Sequence, residues 1–346
     1  LLRLFAVLGL LVLIVSPLSS FAEETGVIYE GKDGPGKGKH IVFIASDHEY
    51  RGEESCPAIA RILAYRYGFK CTVLFGLDAD GYIQAGSSRI PGLEALKDAD
   101  MMFCFLRFVA PNDESMQHII DYLGRGGPVA GLRTTTHAFN GLKGKNSKYN
   151  YNSSDETYRY GFGRQILGET WRPPAAGHYG RNHVFSTRMN VVPSQTKHPV
   201  MSGVTDMHAM AGAYSADPLP NSVILATNEV LKTMKPDAEP VENKPPQPAI
   251  WVRTYKSTSG KDGRVFATTQ GASEDILSDG VRRCIINGVF WCMELEKHIK
   301  PDMDVAFVGP YHPSTFSFGG YRKKVKPADI AGWDTPIWNP KASTAK

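Results

Sequence analysis

The sequence predicts an α/β fold, a doubly wound and mostly parallel sheet followed by a C-terminal hairpin and a closing helix. Three observations predict it. Residues 40–45, 69–75 and 100–106 are short, nearly unbroken apolar runs, the pattern of strands buried on both faces. Between them lie segments of helical periodicity. Residues 53–67 place Ile59, Ile62 and Leu63 on one face and stop at Gly68, and residues 112–123 stop at Gly124. Strand alternating with helix leads to right-handed crossovers and a parallel sheet.

Taken in order, the chain opens with Leu1-Leu2-Arg3 and an apolar run over residues 4–15, broken by Ser16-Pro17. Ser20 and Ala22 suit the small-residue positions of a signal-peptidase site, so residues 1–22 read as an export signal cut before Glu23. The run is short for a membrane span, and the mature protein is expected to be periplasmic or extracellular, without a membrane partner. Residues 23–38 read as a linker, 39–298 as the α/β domain, and 299–346 as a tail packing on it.

The strand over 40–45 ends in a polar loop, Ser46-Asp47-His48-Glu49-Tyr50-Arg51-Gly52. After the runs at 69–75 and 100–106 comes Pro128-Val129-Ala130-Gly131-Leu132-Arg133-Thr134-Thr135-Thr136-His137, which begins apolar and turns abruptly polar. Ligands of open α/β sheets bind outside the carboxyl ends of the strands, which is where Arg133 and His137 would stand. Residues 222–227 read as a further strand, 249–255 and 264–269 as a hairpin, and 279–296 as the closing helix. That helix would turn Val281, Ile285, Ile286, Val289, Phe290 and Met293 inward.

With 42% hydrophobic and 21% charged residues, the chain can bury a large core without disulfides. Cys56, Cys71, Cys104, Cys284 and Cys292 therefore read as buried free thiols. The formal net charge of +4 falls to +3 once Arg3 leaves with the signal, and the basic residues are scattered. No nucleic-acid partner is expected.

The candidate catalytic residues are His48, Arg133, His137 and Glu169. Imidazole exchanges protons near neutrality, a guanidinium can stabilise an enolate or alkoxide, and a carboxylate can orient a histidine or act as base. Glu49, Trp171, His178, His183 and Gln270 are candidate substrate-binding residues. An alternative pairs Arg133 with Glu49 as a purely structural tie. His178 and His183 are five apart beside Glu169, whereas compact metal-binding helices space histidines by four. No cofactor is expected, and a divalent metal enters only under an alternative reading.

Several segments carry a resemblance. They are the His48 loop, the strand end from Gly131 to His137, the His198-Pro199-Val200 turn before Gly203, Pro248-Ala249-Ile250-Trp251-Val252, Gly263-Arg264-Val265-Phe266-Ala267-Thr268-Thr269 and Asn287-Gly288-Val289-Phe290-Trp291. Together they resemble the trehalose-utilisation (ThuA-like) family over roughly residues 39–296. The resemblance implies a class I glutamine amidotransferase-like, flavodoxin-like fold and a role in sugar catabolism, with Arg133 where the amidotransferases carry their cysteine. Two positions depart from the family pattern: Ala272 follows Gly271 where a histidine is common, and Asp206-Met207-His208 with a distant Tyr214 replaces Asp-Glu-x-Tyr.

The expected function is that of an exported protein acting on a small-molecule carbohydrate, a sugar or keto-sugar glycoside, by acid/base chemistry without a thiol nucleophile. Two alternatives are a non-catalytic carbohydrate-binding or scaffolding protein, and a metal-dependent hydrolase in which His48, His137, His178 and His183 converge. Arg133 and His137 are expected to act on the ligand, with Arg133→Ala costing little stability.

Overall fold

In a computed structural model, residues 25–338 are described, so the export signal read over 1–22 lies outside the described residues. In chain order the main elements are β1 (Gly26–Glu30), β2 (His40–Ser46), α1 (Gly52–Tyr67), β3 (Lys70–Phe75), β4 (Met101–Leu106), α2 (Asp113–Gly124), β5 (Val129–Leu132), β6 (Gly177–His178) and β7 (Thr187–Val191). There follow β8 (Met207–Ala209), β9 (Tyr214–Ser215), β10 (Val223–Val230), β11 (Gln247–Lys256), β12 (Asp262–Thr268) and α3 (Asp279–Cys292).

Ten strands make one mixed sheet in the order β1-β3-β2-β4-β5-β12-β11-β10-β7-β8. From β3 to β12 every neighbouring pair is parallel. The flanking pairs are antiparallel. Consecutive residues of a strand face opposite sides of a sheet, and β2 divides accordingly. Ile41 and Phe43 enter a core shared with α1 and α3. Val42 and Ile44 enter a second core with α2. Helices thus cover both faces, as a doubly wound sheet requires.

The helices begin and end where local chemistry dictates. Asn112 caps α2 by accepting the Ser115 N–H at 2.8 Å, and Ser278 caps α3 from Val281. Gly68, left-handed at φ 77°, closes α1 by donating to Ala64 and Leu63 carbonyls. The closing helix stops at Cys292 instead of running to residue 296, because Glu294 takes a left-handed φ of 60°.

Two features differ from the sequence reading. Residues 26–30, inside the segment read as a linker, are strand β1 on the sheet edge, with Val27 and Tyr29 buried. Strands β7 and β8 extend the antiparallel half of the sheet beyond β10 and were not anticipated. The tail packs on the domain through buried hydrogen bonds. The buried guanidinium of Arg61 donates to Thr335 O at 2.8 Å and Ile330 O at 2.9 Å, and Tyr29 Oη donates to Ile330 O at 2.6 Å. Ser314 N donates to Glu54 Oε2 at 2.7 Å, and Arg51 Nη2 donates to Ser317 O at 2.7 Å. Among the described residues no helix is long and apolar enough to cross a membrane.

Beneath this strap lies Glu53, 8% exposed, 3.5 Å from Arg51 Nη1 and without a hydrogen bond to either carboxylate oxygen. Burial pushes its carboxyl up to about 7, against the opposing pull of Arg51. The folded state then binds a proton that the unfolded chain has released. This stabilisation is full below pH ~4.5 and is lost as pH rises through the folded value. Relative to Glu53→Gln, the native protein should lose on the order of 3 kcal/mol of stability between acid and mildly alkaline pH. Melting curves of the two proteins across pH test this, and parallel curves would refute it.

Candidate functional site

Three adjacent parallel strands, β2, β4 and β5, release polar residues at their carboxyl ends, and side-chain hydrogen bonds lock the three loops together. Buried Asp47 accepts the Glu49 N–H at 2.8 Å, the Tyr50 N–H, and the Thr134 hydroxyl at 2.6 Å, tying the β2 loop to the β5 loop. Thr135 Oγ1 donates to Cys104 O at 2.8 Å and accepts from Leu106 N, tying β5 to β4. The turn Arg133–His137 is pressed against Gly163, where a Cβ would stand 1.8 Å from Thr136 O, so no larger residue fits.

Arg133 opens that turn in the left-handed region, at φ 42°. Its side chain goes inward and is fully buried. The guanidinium is held between the rings of Tyr50 and Tyr214, 3.9 and 4.2 Å from their centroids. Nη1 donates to Thr269 O (2.9 Å) and Gln270 Oε1 (3.0 Å), and Nη2 donates to Gly212 O (3.1 Å) and Asn182 Oδ1 (3.4 Å). Burial works against its charge, but Tyr214, Tyr50 and Asp275 more than offset this and hold its pKa above the usual arginine range. Among the described residues it forms no ion pair, with Glu49 or any other carboxylate, so neither the structural tie nor direct ligand contact describes it. It is an internal cation beneath the site.

The residues above it form the candidate site. Glu49, nearly buried, lies 3.5 Å from Arg107 Nη2 and accepts from Asn182 Nδ2 at 3.3 Å. Burial raises its carboxyl above the ordinary value, opposed by Arg107 and Arg133. Arg107 Nη1 donates to His48 Nε2, which keeps that half-buried imidazole neutral. Burial first, then the Arg107 charge, lowers the His48 pKa. His137 is buried between Phe108 and Trp171, with ring centroids 4.9 and 5.0 Å away, and pairs through Nδ1 with Thr136 Oγ1 at 3.1 Å. Burial, then Arg107 and Arg133, pushes it well below the usual histidine range. Its Nε2 has no hydrogen-bond partner among the described residues. Exposed His178 packs edge-on to Trp171 and Tyr214, at 5.1 and 5.4 Å. It is lowered by its partly desolvated surroundings and by Arg133 and Arg107. An open groove beside it is lined by His178, Tyr179, Gly180, Arg181 and Asn182.

Of the residues singled out in the sequence, His48, Glu49, His137, Trp171 and His178 therefore come together. Gln270 is buried against Arg133 and does not reach the rim. Glu169 is engaged elsewhere. Arg164 and Arg172 lie 3.2 and 3.3 Å from it, and it accepts the Thr170 and Asp217 N–H groups, which clamp its own loop, while burial raises its carboxyl above the ordinary value. His183 stacks on Phe316 with centroids 4.5 Å apart. Among the described residues no three metal-ligating side chains form a cluster.

Sequence reading missed Arg107, Asn182, Tyr50 and Tyr214. Arg107 carried a usable signal, because it is the first polar residue after the apolar run of β4, as Arg133 is after β5. Asn182 sits in a loop without pattern and could be placed only by the fold.

All five cysteines are buried, and burial raises the pKa of each thiol. Native protein should therefore resist alkylation by iodoacetamide, and exposure to the reagent should leave ligand binding unchanged. Rapid single-site labelling with loss of binding, counted by mass spectrometry, would contradict this.

Fold and site together define an α/β protein with a thiol-free, histidine- and arginine-lined crest over a parallel half-sheet. No family model and no curated protein matches the chain. Among solved structures, it is similar to a ThuA-like protein from Bacteroides uniformis at 14% identity and a TM-score of 0.47, covering 79% of this chain and 98% of that one. It is similar to another ThuA-like protein, from Parabacteroides merdae, at 16% identity and a TM-score of 0.45, covering 82% and 98%. A third is an exo-beta-1,4-mannosidase from an Opitutaceae bacterium, at 8% identity and a TM-score of 0.33, covering 75% and 36%.

Proposed function

We propose that this protein, exported from the cell, acts on a sugar or oxidised sugar by acid/base chemistry, at the crest formed by β2, β4 and β5. The observation that carries the reading is the meeting of Glu49, Arg107, His48 and His137 beside Trp171, around groups whose ionisation is shifted by burial and by two arginines. Glu49, a carboxyl with a raised pKa, is the proton carrier. Arg107, only part-buried, stabilises an enolate or alkoxide that develops next to it. His137 is a neutral imidazole whose Nε2 accepts a hydrogen bond from a sugar hydroxyl. The motif resemblance set out above supplies the substrate class.

A second reading, sugar binding without turnover, is favoured by one contact: Arg107 occupies His48 Nε2, the nitrogen that would otherwise take a proton. NMR of purified protein with methyl 3-keto-D-glucopyranoside, beside methyl D-glucopyranoside as the unoxidised control, separates the two. Time-dependent loss of the keto-glycoside supports catalysis, saturable binding without loss supports the second reading, and neither binding nor loss sinks both.

A further inference from the structure

We propose that the C-terminal strap completes the site, with Phe318 as a stacking platform for the apolar face of a pyranose ring. The inference rests on the carbohydrate reading above and deepens it by naming a residue that selects for a ring.

Phe318 is 62% exposed, and among the large apolar side chains left in solvent its position singles it out. It is not a loose tip. Its ring lies 4.8 Å from the Arg107 guanidinium and 5.4 Å from the His48 ring, so it stands at the edge of the polar cluster. The segment carrying it is pinned on both sides. Ser317 O accepts from buried Arg51 at 2.7 Å, and Gly319 N donates to His48 O at 3.3 Å. Two residues earlier, Phe316 is buried against Tyr50, with centroids 5.1 Å apart, and under His183. The strap thus seats one aromatic ring in the core and holds the next on the rim.

A pyranose presents hydroxyls around its edge and polarised C–H bonds on its faces. The negative face of an aromatic ring attracts those C–H groups and sheds water in doing so. Carboxylate, imidazole and guanidinium groups flanking such a ring suit the hydroxyl edge. Phe318 together with Glu49, Arg107 and His48 offers that combination, whereas an open-chain polyol has no face to stack.

The test is titration of methyl 3-keto-D-glucopyranoside into native protein and into Phe318→Ala, Phe318→Leu, Phe318→Tyr and Phe318→Trp, followed by calorimetry and saturation-transfer NMR. Losing the ring should weaken binding roughly five- to tenfold in the Ala and Leu variants, while Tyr and Trp stay within about twofold of native. Melting temperatures should be nearly unchanged, since the side chain is largely in solvent. Equal affinity in native, Ala and Tyr proteins would overturn the stacking role while leaving the carbohydrate reading intact. If native protein binds neither this glycoside nor its unoxidised counterpart, the carbohydrate reading falls, and the stacking role with it.

Discussion

Arg133→Ala is expected to destabilise the protein by roughly 3–5 kcal/mol, enough to threaten folding altogether. The guanidinium is wholly buried, and its removal strands Thr269 O, Gly212 O and Gln270 Oε1, while Asn182 Oδ1 keeps only the Gly212 N–H. It also empties the slot between Tyr50 and Tyr214. Unsatisfied acceptors and a cavity add in the same direction. Arg133→Lys should recover only part of the loss, because an ammonium cannot reproduce a planar fork between two rings. Arg133→Met, which keeps bulk without donors, separates the cavity from the hydrogen bonds. Urea unfolding of the three variants provides the measurement. An alanine variant within about 1 kcal/mol of native would show that the slot is not structural. This reverses the sequence-based expectation that Arg133 acts on the ligand at little cost in stability.

Glu49→Gln is expected to act the opposite way, lowering turnover roughly 10²–10⁴-fold while leaving the fold as stable as before. Burial raises the Glu49 carboxyl above its ordinary value, so its ionisation is unfavourable in the folded state. Stability from this group is full below the unfolded value and declines as pH rises through the raised one. A neutral amide, which still accepts from Asn182, escapes that decline and should be at least as stable at neutral pH. With Glu49 as base, the native rate falls as pH drops through the raised value, and the glutamine variant loses that limb. Thermal melting alongside the pH–rate profile on the keto-glycoside decides the matter. Native-like turnover with the acid limb intact would remove Glu49 from the chemistry.

The parallel half of the sheet was legible because strands buried on both faces have little choice but continuous apolar runs, and β2, β3, β4 and β5 all do. Strands β7 and β8 were not, since Thr-Arg-Met-Asn-Val and Met-His-Ala are short and mixed, and they become strands only by pairing outward from β10. Strand β1 is equally short and gains its place from β3 and from the tail over Tyr29. At the site, the rule that polar residues follow strand ends located His48, Glu49, Arg133 and His137. It carried no information on which way a side chain turns. The left-handed backbone at Arg133 sends the guanidinium down between two tyrosines, and the cation on the site's face comes instead from Arg107.

The strap also sets an order of assembly during synthesis. Arg61 sits in the first helix, yet two of its hydrogen-bond acceptors are the carbonyls of residues 330 and 335. On the ribosome these two acceptors reach that guanidinium only once residues 330 and 335 have emerged, and Arg51 gains the Ser317 carbonyl only once residue 317 has. The parallel half-sheet can close before then, but the rim ring at Phe318 arrives only after it. A nascent or prematurely terminated chain would thus carry the polar cluster without its aromatic wall. The aromatic wall is added after the polar cluster, once the strap is in place.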